Sequence, residues 1–247
     1  MTQSMKKAHK ILICITAVLL LLGLIFIAYF ADYHHELPVS YDKTEDTSYT
    51  VKETGYGWMF DAGSSSAVIF YPGGKVEESS YLELCGKIAN NGIDVHLVKM
   101  PLRFAIFGIN RADQIIDNTD YDYVYMCGHS LGGAMASIYA SEHPDKVSGL
   151  ILLAAYSSVK IPDSIKVLSI YGDKDKILNM RTYENNRKNL PEDMYEYVIR
   201  GGNHRQFGNY EGQMNDGTPQ MTLEQQQTIA SDVITSYMKL HTEEGIR

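Results

Sequence analysis

Between Ile11 and Phe30 the chain reads ILICITAVLLLLGLIFIAYF, an apolar run without a charged residue. Its length matches the ~20 residues a helix needs to cross the hydrocarbon core of a bilayer. Lys6, Lys7 and Lys10 precede the run, and Asp32 and Glu36 follow it. That asymmetry predicts a cytoplasmic tail over residues 1–10 and a translocated remainder. A cleavable signal peptide is the rival reading, but its apolar region spans ~7–15 residues and ends in small residues. Tyr29 and Phe30 stand in that place instead. Residues 11–30 are therefore read as a transmembrane signal anchor in the cell membrane, and the polar, Pro38-containing residues 31–48 as a stalk.

From Tyr49 the pattern turns to strand, turn and strand, ending in the apolar run Ala67–Tyr71, which Pro72-Gly73-Gly74 closes. A helical period over Glu77–Asn90 is followed by a strand pattern over Asp94–Met100, a loop with a helix, and another strand over Tyr123–Cys127. A helix rich in small residues begins at Leu131. Val147–Ala155 is apolar with almost no alternation, as expected of a strand covered on both faces. Lys166–Gly172, a helix around Asn179–Asn189, Tyr195–Arg200 and a helix over Leu223–Leu240 complete the series. Alternating strands and helices predict an α/β fold over residues 49–247, with a mostly parallel sheet flanked by helices on both faces.

Composition narrows the function. Without residues 1–30 the chain carries 19 basic against 30 acidic side chains, so nucleic acid is excluded as an expected partner. Cys14, Cys85 and Cys127 are too few for a disulfide framework, and Cys127, at the end of an apolar strand, is read as a packing residue. No CxxC, HExxH or other metal-ligand spacing occurs, and no metal site is expected.

Gly128-His129-Ser130-Leu131-Gly132 matches G-x-S-x-G between a predicted strand and a predicted helix, the context of a nucleophile elbow. A serine hydroxyl needs a base within hydrogen-bond reach and a third group to orient that base. Asp175 and His204 each follow a later predicted strand, in the order Ser, Asp, His. Asp173 stands in the same loop and competes with Asp175. Among the histidines only His204 lies in a glycine-framed loop at a strand end; His96, His143 and His241 are expected on strand or helix surfaces. The oxyanion donors are expected at the Leu131 N–H and in the turn after Tyr71, at Gly74 with Lys75 as alternative. The long loop after His204 carries Phe207 and Tyr210, which are expected to form a wall of the substrate cleft.

The blocks YPGGKVE, GHSLGGAMA, LLAAYS, SIYGDKD and GGNHRQFGNYEGQ resemble the α/β-hydrolase superfamily, specifically a bacterial branch of small, lidless members. The similarity runs from about Val68 to the final helix. It implies that Ser130, Asp175 and His204 correspond to the family's triad and that neither organic cofactor nor metal is used. The short interval between Ala155 and Lys166 leaves no room for a cap domain, so a shallow or open acyl pocket is expected. The expected activity is hydrolysis of a small-molecule carboxylic ester with a small or short acyl group. An acyltransferase using the same triad, or a non-catalytic binding module on the same scaffold, are the alternatives.

Overall fold

The computed structural model describes residues 3–37, 47–211 and 213–244, so half of the segment read as a stalk, residues 38–46, lies outside the described residues. The chain divides into two compact units, residues 1–33 and 34–247. The first is a single helix, α1 (Gln3–Ala31). Its Leu12–Ala31 stretch has a mean hydropathy of 2.9 and none of it is buried. Twenty helical residues at about 1.5 Å each reach the ~30 Å of a hydrocarbon core, so length and composition both suit a membrane span.

The second unit is an eight-stranded sheet in the order β1-β2-β4-β3-β5-β6-β7-β8. β1 (Thr50–Thr54) and β2 (Gly57–Asp61) form an antiparallel hairpin, and β2 pairs antiparallel with β4 (Asp94–Val98). β3 (Ser66–Tyr71), β5 (Tyr123–His129), β6 (Gly149–Leu153), β7 (Lys166–Gly172) and β8 (Tyr195–Ile199) join β4 in one parallel array. Crossovers α2 (Leu82–Asn90), α3 (Asp113–Ile116), α4 (Leu131–Glu142) and α5 (Met180–Asn186), with the final α6 (Leu223–Glu244), cover it.

Strand alternation sorts the apolar residues into two cores. Val68, Phe70, Ile151 and Leu153 face Leu84 and Ile88 of α2 and Ile234 of α6. Ile69, Tyr71, Leu150 and Leu152 face Met135, Ala136 and Tyr139 of α4. A strand buried on both sides has no polar face to show, which is why the central strands read as unbroken apolar runs.

Several expectations shift. The helix expected from Glu77 starts as a 3-10 turn, Glu78–Tyr81, and becomes α-helical at Leu82. His96, expected on a surface, is 1% exposed, because β4 lies inside the sheet between β2 and β3. Tyr121 donates to Asp94 Oδ2 at 2.8 Å, so His96 Nε2–H donates to Tyr121 (2.9 Å) and Nδ1 accepts from Tyr56 (2.8 Å). Part of the segment expected to be stalk is tied down: His34 N–H donates to the Lys75 carbonyl, and Leu37 N–H to that of Asn209. Among the described residues no helix or strand interrupts the connection from β6 to β7.

Candidate active site

Ser130 occupies the tight turn from β5 into α4 with φ 52 and ψ −121, a region an L-residue enters only under strain. Its N–H donates to the Leu153 carbonyl at 2.9 Å and its carbonyl accepts from Ala134 at 3.1 Å, which pins the turn. A Cβ on Gly128 would collide with the Gly132 and Gly133 backbone, and one on Gly132 with the carbonyls of Tyr71 and Pro72. Both glycines of the pentapeptide are thus required by close backbone approach. Leu131, first in α4, carries one of the N–H groups that have no intrahelical acceptor.

His204 and Asp175 lie against each other. Nδ1 of His204 lies 2.8 Å from Asp175 Oδ2, and both side chains are about 2% exposed or less. The other Asp175 oxygen accepts the Ile177 and Leu178 N–H groups, each at 2.8 Å, so the carboxyl is fixed by its own loop. The proton on Nδ1 is directed at Asp175, which leaves Nε2 as the basic nitrogen. That Nε2 is buried and has no hydrogen-bond partner among the described residues. Asp173, the competitor, accepts instead from the Gly201 N–H at 2.7 Å and faces Lys174.

Ser130 and His204 line one cleft of about 250 Å³ together with Leu131, Ala134, Ala154, Ala155, Tyr156, Ile177, Leu178 and Asn179. This is below the ~300 Å³ at which pockets for drug-sized ligands begin. Phe207 and Tyr210, expected as a cleft wall, are not in it; both are fully buried. Phe207 packs against the His129 ring at 5.6 Å, and Tyr210 lies between Tyr81 (6.5 Å) and His34 (5.5 Å). Burying a side chain of this size stabilises by about 1.5–3 kcal/mol, and the core beneath the loop supplies the partners.

Of the two candidates for the second oxyanion donor, Lys75 spends its N–H on the Arg103 carbonyl at 2.9 Å. Gly73 spends its own on the Tyr81 hydroxyl at 3.1 Å. Gly74 packs so closely on the Leu131 side chain that a Cβ would press on Cδ2 at 2.8 Å.

Two supports escaped the sequence reading. His129 Nε2 faces the His204 carbonyl at 3.1 Å, so it must carry the proton, and Nδ1 accepts from the Tyr81 hydroxyl at 2.8 Å. Burial, reinforced by the neighbouring His204, pushes the His129 imidazole well below its ordinary pKa. Burial raises the Tyr81 phenol, with Tyr210 adding to it. Both groups are therefore neutral, and a fixed chain runs from the Gly73 N–H through Tyr81 and His129 to the His204 loop. Asp216 is the second support. Its carboxyl accepts from the backbone N–H of Arg205 (2.9 Å), His204 (3.4 Å) and Lys176 (3.4 Å), joining the loops that carry His204 and Asp175. Its neighbour Gly217 abuts the Lys174 carbonyl, where any Cβ would collide, and accepts from the Asn203 side chain at 2.9 Å. An Asp-Gly pair reads locally as a turn, and no local signal separates that role from this one.

Among the described residues no group of three or more His, Cys, Asp or Glu is placed to hold a metal ion. Cys85 and Cys127 are buried thiols, each with its pKa raised by burial.

Comparison with known proteins bears on the fold and the family. NocK of Nocardia uniformis subsp. tsuyamanensis, provisionally named an esterase, is 43% identical over 63 residues, covering 24% of this chain and 18% of that protein. A proline iminopeptidase of Saccharolobus solfataricus is 27% identical over 143 residues, 49% of this chain and 44% of the relative. The chain thus spans less than half the length of these curated relatives. The crystal structure of MGS-MChE2, an alpha/beta hydrolase enzyme from the metagenome of lagoon sediments at Mar Chica, Morocco, superposes with a TM-score of 0.59. It is 15% identical, and the match covers 78% of this chain and 99% of that one. The model of the alpha/beta hydrolase family matches residues 67–228, from β3 through the elbow and both later loops into α6. By that match, and by a sheet order and strand-to-helix turn that agree with it, the chain belongs to the alpha/beta hydrolase family.

Proposed function

We propose that the protein is a membrane-anchored serine hydrolase that cleaves carboxylic esters with small acyl groups through an acyl-enzyme. The observation that carries this reading is the pairing of His204 Nδ1 with Asp175 at 2.8 Å, while Nε2 has no partner among the described residues and His204 lines one cleft with Ser130. Ser130 Oγ attacks the ester carbonyl and passes its proton to His204 Nε2, and Asp175 holds the imidazole in the required tautomer. The Leu131 and Gly74 N–H groups take the negative charge of the tetrahedral intermediate. His204 then returns the proton to the departing alcohol. Water, deprotonated by the same nitrogen, releases the acid and restores the serine. No cofactor takes part in this sequence.

The small volume of the cleft, walled by Leu131, Ala134, Ala155 and Leu178, supports a small acyl group. The α1 helix, with three lysines before its apolar stretch, supports anchoring with the N-terminus in the cytoplasm and the sheet-bearing unit outside. Labelling of the full chain with a fluorophosphonate tests the mechanism. Ser130 is expected to be modified, and Ser130→Ala to abolish both labelling and ester turnover. Labelling at another serine, or turnover that survives Ser130→Ala, would refute it.

A further inference from the structure

Eight large apolar side chains outside α1 are exposed among the described residues, and five of them follow the C-terminal ends of β4, β7 and β8. That is the sheet edge on which the Ser130 turn, after β5, also stands. Three of the five lie within six residues of chain: Leu102, Ile106 and Phe107 are 46%, 54% and 54% exposed. Single exposed apolar residues need no explanation, whereas a cluster beside a catalytic edge does.

The backbone is strained where it presents them. Leu102 and Arg103 have φ 51 and 59, a left-handed conformation that costs a residue with a Cβ roughly 1–2 kcal/mol. The turn is nevertheless fixed. Arg103 N–H donates to Met100, Phe104 N–H to Pro101 and Phe107 N–H to Phe104, while the Arg103 carbonyl accepts from Lys75, next to Gly74. Strain of this kind persists where surrounding contacts over-determine it, commonly at functional sites.

Charge says what the segment faces. Residues 99–111, KMPLRFAIFGINR, hold Lys99, Arg103 and Arg111 and no acid, in a chain whose net charge is −8. Lys99 pairs with Glu78 at 3.0 Å, so Arg103 and Arg111 are the cations that flank these apolar tips along the chain, a pattern that suits a bilayer surface, where the tips enter the headgroup boundary and the cations meet phosphates. The chain also arrives from an apolar helix. Three residues after α1 ends at Ala31, His34 donates to the Lys75 carbonyl, in the same turn that Arg103 holds.

We propose that the segment led by Leu102, Ile106 and Phe107 docks into a lipid bilayer surface, so that the cleft takes small acyl groups from esters whose alcohol part is rooted in the membrane. This rests on the anchored-hydrolase reading above. The docking half is tested without activity. Trp58 is the single tryptophan, so Phe107→Trp adds one reporter to the full chain. The chain is reconstituted in phosphatidylcholine–phosphatidylglycerol vesicles whose acyl chains are brominated. The variant's emission is expected to be quenched at least about two-fold more than that of the wild type, because bromine lies at the depth such tips reach. Quenching no greater than that of Trp58 overturns the docking. For the substrate half, Ile106→Asp with Phe107→Asp should slow release of acetate from vesicle-borne acetyl-dioleoylglycerol at least roughly ten-fold, while aqueous p-nitrophenyl acetate stays within about two-fold. Equal effects on the two esters overturn it. Should the hydrolase reading itself fail, neither ester is turned over by the wild type, and the quenching result still decides the docking.

Discussion

Asp216 does not line the cleft, yet its oxygens collect N–H groups from Lys176 in one loop and from His204 and Arg205 in the other. Removing that carboxyl cuts the contacts that set the His204 loop against Lys176, while the Gly201 N–H to Asp173 and the Lys174 N–H to Gly202 remain and Ser130 and the cleft walls stay in place. Asp216→Ala is therefore expected to lower kcat by roughly 10–100-fold with KM little changed, as misplacement of about 1 Å does to reacting groups. A change confined to KM would contradict it, and steady-state kinetics on a short-chain ester decides. His96 gives a second prediction at this scale. Burial lowers its pKa from 6.5 to about 4, with Asp94 and Asp61 pulling the other way. Between those values the unfolded chain binds a proton that the folded chain does not. The stability His96 contributes is thus complete above pH ~6.5 and is lost as the pH falls towards ~4. Over that window the loss is on the order of 3 kcal/mol. Thermal unfolding of the detergent-solubilised full chain should show a fall in Tm that His96→Asn makes shallower; parallel curves would remove His96 as the cause.

At the scale of elements, the strap His34–Leu37 acts as a short brace between the turn after β3 and the loop after His204. On one side it pairs with Lys75 and Glu77, and on the other with Asn209 and Glu211. Leu37→Pro deletes the N–H that reaches the Asn209 carbonyl and leaves the sheet untouched. One main-chain hydrogen bond contributes about 1 kcal/mol, so the neighbouring Glu211 amide, which donates to His35, should exchange roughly five-fold faster. Unchanged exchange at Glu211 would mean that the strap is ornamental. The loop after His204 teaches a related lesson. Its length and aromatics mark it in the sequence, but Phe207 and Tyr210 turn inward because His129, Tyr81 and His34 offer them packing. The cleft walls come instead from α4 and the loop that carries Asp175.

For the whole molecule, the lysines before the apolar stretch of α1 predict orientation. Protease added to intact, wall-stripped cells should digest the sheet-bearing unit, and the mature protein should retain residues 1–30 by mass. Full protection, or a mass lacking those residues, would count against anchoring.

The sequence by itself determined whatever depends on near neighbours in the chain. Apolar runs and their periods set the strand and helix order, because side-chain direction repeats every two residues in a strand and every 3.6 in a helix. The two glycines flanking His129-Ser130-Leu131 marked the elbow, since only a glycine tolerates the backbone contacts that a strand-to-helix turn makes there. Strand-end loops brought the Asp173–Asp175 loop and His204 to one edge, because parallel strands bring all their C-terminal ends together, and the structure chose Asp175 over Asp173. Tertiary structure decided the rest. The inward turn of Phe207, the burial of His96, the joining of two loops by Asp216 and the outward stance of Leu102, Ile106 and Phe107 all depend on partners distant in sequence. Which side of a loop finds such partners is settled only when the helices close over the sheet, and no local pattern encodes it.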